Sequence, residues 1–310
     1  MNTIETDQSE QRPNALLSLL KMSRPLNLLL IVFTFLCFRF GFGSRLEFTF
    51  TFATFFGHVF LLLTILLTAS AGNFINDYFD KKVDAINKPN LNSVDKGIKR
   101  RVVILAHILT NLVGLLCALA ASVLLNSWMP IVITLVIIFV LTIYTPFLKK
   151  MYLTGNVAVA ICIAILPIWA LWPEVIRIDN WYVQSWTLVY VLFAFCISLT
   201  REIIKDIEDV EGDKLGNYQT IAVKSGVKVA KLLGLFSMAM TLFTAVFSWV
   251  IFMTNEQSST QLLYLTLVVF PLLVSFLFLV FAKTKKGFTN ASMALKIAMF
   301  LGIAFSLFLR

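Results

Sequence analysis

Histidine, cysteine and acidic residues are all scarce in this chain of 310 residues, with only two, four and 17 of them. The cysteines (Cys37, Cys117, Cys162 and Cys196) lie singly in apolar runs. With no Cys-x-x-Cys pair and no ligand spacing, a disulfide framework and a zinc site are both excluded. Neither His58 nor His107 has a partner at ligand spacing, so both read as packing residues. Charged residues make up 14% of the chain and hydrophobic residues 59%, which excludes a soluble globular domain. The polar first dozen residues contain no apolar core of a signal sequence, so no cleaved signal peptide is expected.

What the chain has instead is apolar runs of about 20 residues. In lipid a spanning segment must satisfy its own backbone hydrogen bonds, which points to helices. The pattern predicts an all-α polytopic membrane protein with nine transmembrane helices, at 25–43, 53–76, 102–124, 130–147, 157–173, 186–204, 230–253, 260–281 and 291–309. A cytoplasmic N-terminal segment (1–24) would precede a single transmembrane domain (25–310). With the N-terminus in the cytoplasm, 21 of the 26 Lys and Arg residues fall on the inner side and four on the outer. Lys296 remains, at the inner end of the last span, where it can snorkel. That bias follows the positive-inside rule. The net charge of +9 is thus explained by topology, and no nucleic-acid partner is expected. Trp128, Trp172, Trp181 and Trp186 mark the outer boundary, while Pro146, Pro167 and Pro271 shape or kink spans.

The few acids are not spread evenly. Nine of the 17 lie in two short segments at predicted inner helix ends. In the first, Asn73, Asp77, Asp80 and Asp84 are spaced by four, three and four and share one helical face, with Asn76 beside them. In the second, Glu202, Asp206, Asp209 and Asp213 repeat the same spacing. Glu208 and Glu211 fall off that face, solvated or paired with Lys205, and Gly212 and Gly216 suggest that the helix frays, leaving Asp213 in a loop. Carboxylates gathered at a membrane boundary repel one another unless a cation neutralises them. A hard divalent ion such as Mg²⁺ takes oxygen ligands and shares them with substrate phosphates. Two facing clusters could hold two or more Mg²⁺ ions around a diphosphate and neutralise it as a leaving group. A solvated helix end is the alternative for the first segment taken alone. An ion path through a transporter is a rival for both, but transport sites lie near the midplane rather than at one face.

Arg24, Lys81, Lys149 and Arg201 are candidates to grip diphosphate oxygens, though the positive-inside rule accounts for each equally well. Tyr144 could line the site and stabilise a cation with its ring face, or simply pack.

With both acidic faces in view, the chain resembles the UbiA superfamily of intramembrane prenyltransferases over nearly its whole length. The first segment is similar to the family's N-D-x-x-D-x-x-x-D pattern at Asn76, Asp77, Asp80 and Asp84. The second is similar to D-x-x-x-D at Asp209 and Asp213, followed by Lys214-Leu215-Gly216. The Arg24-Pro25-Leu26-Asn27 stretch and the Tyr144, Lys149, Gly155-Asn156 series also resemble it. The resemblance implies a nine-helix bundle around a chamber open to lipid, with a cytoplasmic active site. It implies Mg²⁺-dependent transfer of an isoprenoid from a prenyl diphosphate donor to a lipid-like acceptor at the bilayer. Asp77, Asp80, Asp84, Asp209 and Asp213 would hold the metal and serve catalysis. Asn73 and Asn76, with Arg24, Lys81, Tyr144, Lys149, Arg201, Glu202 and Asp206, would meet the substrate. Within the superfamily, Arg201 to Asp213 looks most like the ether-lipid branch, which transfers a geranylgeranyl group to a prenylglyceryl phosphate. Prenylation of an aromatic acceptor for quinone synthesis is the nearest alternative. One departure stands out: after Asn87-Lys88-Pro89 most relatives carry an Arg-Pro pair, where this chain has Asn90-Leu91-Asn92-Ser93.

Overall fold

A computed structural model describes residues 15–46, 51–87, 98–177, 179–254 and 256–309. The departure at Asn90 to Ser93 lies outside the described residues. In chain order the helices begin with α1 (Ala15–Met22), α2 (Pro25–Phe42), α3 (Phe52–Asn87), α4 (Arg100–Leu124) and α5 (Met129–Tyr144). There follow α6 (Thr154–Ala164), α7 (Leu166–Ala170), α8 (Glu174–Arg177), α9 (Trp181–Glu208), α10 (Val210–Leu215) and α11 (Ile221–Lys224). Next are α12 (Gly226–Ser248), α13 (Ser258–Tyr264), α14 (Phe270–Phe281) and α15 (Lys285–Phe305).

Among the described residues, seven helices are long and apolar enough to cross a membrane, counting α12 through Met253 and α13 with α14 as single helices. The fourth and fifth expected spans fall on shorter apolar helices, Met129–Tyr144 and Thr154–Ala170. Sixteen residues of helix reach only about 24 Å, against a hydrocarbon layer of about 30 Å. The fifth is broken at Ile165, just before Pro167, whose ring clashes with the carbonyl four residues back and which lacks an N–H. Pro271 sits in the first turn of α14, directly after a π-helical turn, Leu265–Val269, that absorbs its missing hydrogen bond.

Two expectations about the rim need correction. Trp128 and Trp181 are exposed, as boundary residues should be, but Trp172 and Trp186 are buried. Trp186 lies five residues after Trp181 and so is turned about 140° from it, into the core. There it packs against Phe252 and Tyr264, with ring centroids 5.1 and 6.1 Å away. The histidines do have partners, supplied by other helices. His58 Nε2 is 3.0 Å from the Trp172 carbonyl and 3.5 Å from Glu174, which in turn accepts from Arg39 at 3.0 Å. His107 Nδ1 is 2.9 Å from the Ala71 carbonyl. Both fasten helices together, which satisfies polar groups that burial would otherwise penalise.

Two helices position the acidic faces. The 36 residues of α3 run about 54 Å, so its polar end continues past its apolar run without a break. α9 likewise extends beyond the expected 186–204, to Glu208. The chain then turns at Asp209 and resumes as α10, which contains Gly212 and Asp213. The helix does not end at Gly212, and Asp213 sits on a short helix rather than in a loop.

Candidate active site

A cavity of about 1100 Å³ lies between these helices. Its polar end is walled by Asp77, Asp80 and Asp84 of α3 and by Glu202, Asp206, Asp209 and Asp213 of α9 and α10. Asn73, Asn76, Arg24, Tyr144, Lys149 and Arg201 also line it. Lys81 does not: it lies on α3 outside the lining, half-buried. The other end is apolar, with Phe38, Ile65, Leu141, Pro167 and Phe193 among its walls. Thr64 lies 16 residues from Asp80 on α3, so the apolar part extends about 24 Å from the acids.

The two acidic segments are clamped together by Asn87, in the last turn of α3. Its amide nitrogen donates to the Asp209 carbonyl at 3.2 Å, and its amide oxygen accepts from the Gly212 N–H at 3.0 Å. A Cβ at Gly212 would stand 2.5 Å from the Asn87 amide, so only glycine permits the approach.

Each carboxylate has its own environment. Asp80 is 1% exposed and accepts from Lys149 Nζ and, at 3.0 Å, from the Tyr218 hydroxyl. Asp77 accepts from Arg24 Nη2 at 3.1 Å. Arg24 itself has a left-handed backbone (φ 58°), rare for a side chain of this kind and further disfavoured before proline. Asn73 donates to the Ser23 carbonyl at 3.1 Å, holding the turn that carries Arg24 against α3. Asn76 accepts from Thr145 at 3.0 Å, and Asp206 from Asn156 at 2.8 Å. Lys205 pairs with Glu202, not with Glu208, which accepts from Thr289 instead.

Burial opposes the charge on Lys149, but the attraction of Asp80 outweighs it and holds the ammonium above its ordinary value. Burial also pushes the Asp213 carboxyl up to about 6, with repulsion from Asp209 and Asp80 adding to it against the pull of Lys149.

Among the described residues, no three acidic, histidine or cysteine side chains converge as a ready-made metal site. Cations occupy Asp77 and Asp80 instead. The residues nevertheless fit a hard divalent ion. Every donor is an oxygen, and the buried Asp213 Oδ1 has no hydrogen-bond partner, while Oδ2 accepts only from Thr220 at 3.3 Å. An ion that completes its shell with phosphate and water needs only one or two carboxylates from the protein.

Residues 30–303 match the model of the UbiA prenyltransferase family. The chain belongs to this family. Among curated relatives, the digeranylgeranylglyceryl phosphate synthase of Pyrococcus horikoshii is 35% identical over 170 residues, covering 55% of this chain and 57% of that protein. The chain thus aligns with little more than half the length of that relative. The solved structure of a digeranylgeranylglyceryl phosphate synthase in membranes gives a TM-score of 0.66 at 20% identity, over 95% of this chain and 98% of that one. A UbiA homologue from Archaeoglobus fulgidus bound to GPP and Mg²⁺ gives 0.60 at 18% identity, over 93% and 99%. These likenesses show that the UbiA fold runs through the whole described bundle.

Sequence reading of this UbiA-family chain did not single out Asn87, Tyr218, Thr145 or Thr220 as site residues. Tyr218 lies 138 residues from Asp80 and reaches it only because α10 docks on α3. A signal was present in Gly216-Asn217-Tyr218, where Asn217 takes a left-handed turn (φ 56°) that aims the tyrosine back.

Proposed function

We propose that the chain transfers a prenyl group, geranylgeranyl in length, from its diphosphate to the free hydroxyl of a prenylglyceryl phosphate, forming an ether-lipid precursor. The observation that carries this is one cavity with an acidic end built from two helices and a long apolar end. The kinship with digeranylgeranylglyceryl phosphate synthases supports the glyceryl phosphate acceptor.

In this reading the diphosphate sits at the polar end and the isoprenoid tail lies along the apolar walls. Asp77, Asp80, Asp84, Asp209 and Asp213 would hold Mg²⁺, which supplies Lewis-acid stabilisation of the leaving diphosphate. Arg24 and Lys149 lie beside these carboxylates and exchange them for diphosphate oxygens when the donor binds. Asn73 and Asn76 keep the Arg24 turn and the Thr145 corner in register with α3. The C1–O bond of the donor breaks with both electrons leaving on the diphosphate. The acceptor hydroxyl oxygen then bonds to C1 of the allylic cation. The resulting protonated ether is a strong acid and loses its proton to diphosphate or water, so no dedicated base is required. Tyr144 lines the cavity, where its ring face would steady the cation. The bundle would cross the bilayer nine times, with the short helices α5 and α6–α7 included, an inner N-terminus and the acidic end facing the cytoplasm.

The test is a detergent assay with labelled geranylgeranyl diphosphate and geranylgeranylglyceryl phosphate, products being resolved by mass. A doubly prenylated glyceryl phosphate that vanishes with EDTA is expected. Donor consumption only with an aromatic acceptor would replace the acceptor class, and no consumption with either would overturn the reading. Asp77→Ala is expected to lower turnover by about a thousandfold, as loss of a group stabilising the leaving charge does, with monodisperse elution unchanged.

A further inference from the structure

Six basic side chains line the cavity: Lys21, Arg24, Lys149, Arg201, Lys205 and Lys296. Three of them are paired, Arg24 with Asp77, Lys149 with Asp80 and Lys205 with Glu202. The other three are not: among the described residues the side chains of Lys21, which is exposed on α1, and of Arg201 and Lys296 make no hydrogen bond or ion pair. Arg201 is 9% exposed, and its Nε is buried with no acceptor in reach. Lys296 lies on α15 five residues, about 7.5 Å, past the expected inner end of the last span. It is exposed and lines the cavity. Both line the same cavity, from α9 and α15, which pack against each other. Their acidic neighbours are engaged elsewhere: Glu202 pairs with Lys205, and Glu208 accepts from Thr289.

Two like charges gathered inside a membrane protein are costly, and such residues mark a binding site by default. A buried guanidinium with an unused N–H fits a phosphate, two oxygens of which match its planar fork. The helix also separates this anion site from the metal site. Arg201 precedes Glu202 by one residue, so it is turned about 100° from the acidic face of α9.

We propose that Arg201 and Lys296 form a second phosphate subsite, which takes the phosphomonoester head of the lipid acceptor. This rests on the proposed acceptor class. The shared chemistry is a phosphate, and the donor's diphosphate is the other source it could have. The subsite gives the enzyme its preference for a phosphorylated acceptor over the corresponding alcohol, since an uncharged head leaves the cations uncompensated.

The test measures equilibrium binding to the detergent-solubilised full chain with Mg²⁺ present and each ligand offered alone, so that no transfer can occur. Labelled geranylgeranylglyceryl phosphate, geranylgeranylglycerol and geranylgeranyl diphosphate are compared on wild type, R201Q, R201K and K296Q. Expected is a loss of about tenfold or more in affinity for the phosphorylated acceptor in R201Q and K296Q, partly restored in R201K. Binding of the alcohol and of the donor should hold. K296Q alters an exposed side chain and keeps the test valid should R201Q fail to fold. Equal losses for phosphate and alcohol would reduce the pair to a packing role and overturn the proposal. Loss confined to the donor would assign the site to the diphosphate, and a wild type that does not prefer the phosphorylated lipid would also overturn it. Loss of phosphate preference without turnover in any assay would leave the subsite standing and reject the reaction.

Discussion

Asp80 shows how much a single side chain at this site depends on its neighbours. It is 1% exposed and shared between Lys149 and Tyr218. Removing one partner of a buried pair leaves an uncompensated charge, whereas removing both is far milder. Lys149→Met is therefore expected to destabilise the protein by about 3–5 kcal/mol. Adding Asp80→Asn should restore a large part of that. Thermal unfolding of the two single variants and the double variant in one detergent checks it, and additive losses would show that the ion pair contributes nothing. The spacing that put Asp80 on one face with Asp77 and Asp84 was legible in the sequence. Its partners were not, because Lys149 and Tyr218 lie 69 and 138 residues away.

At the scale of elements, the decisive contact is the docking of α10 on the end of α3. Asn87 bonds α10 at two points, and Gly212 leaves the space for it. Gly212→Ala is expected to push α10 from α3, costing about 1–3 kcal/mol, as overpacking does, and a larger share of activity than of stability. Turnover measured beside melting temperature decides it: stability lost with activity intact would mean that the acidic faces need not be held this closely. The sequence pattern read Gly212 as a place where a helix frays. A glycine required for close approach and a glycine that ends a helix look the same until the second helix is present.

At the scale of the whole molecule, the basic residues predict orientation, and α3 carries the acidic end to one side of the bundle. Cysteines introduced at Glu256, after the seventh expected span, and at Lys285, after the eighth, should report opposite faces. E256C is expected to react with an impermeant maleimide on intact cells, and K285C only after the membrane is opened. The reverse pattern would invert the topology and place the acidic end outside. Native Cys37 and Cys117 are buried but Cys162 and Cys196 only partly so, and the chain without an introduced cysteine sets the background.

The sequence alone determined that the chain is a helical membrane protein, and it located both acidic faces and the family they resemble. Those properties are local: hydropathy over one span, spacing over a few turns, charge over a loop. Tertiary structure decided the rest. It brought the faces to one cavity, gave Asp77 and Asp80 cations to hold, and turned Trp186 inward while Trp181 stayed out. It also separated paired cations from unpaired ones, so that Arg201 and Lys296 stand apart from Arg24 and Lys149. Whether a charge is neutralised depends on what lies within a few ångströms in space, and a sequence orders residues only along the chain.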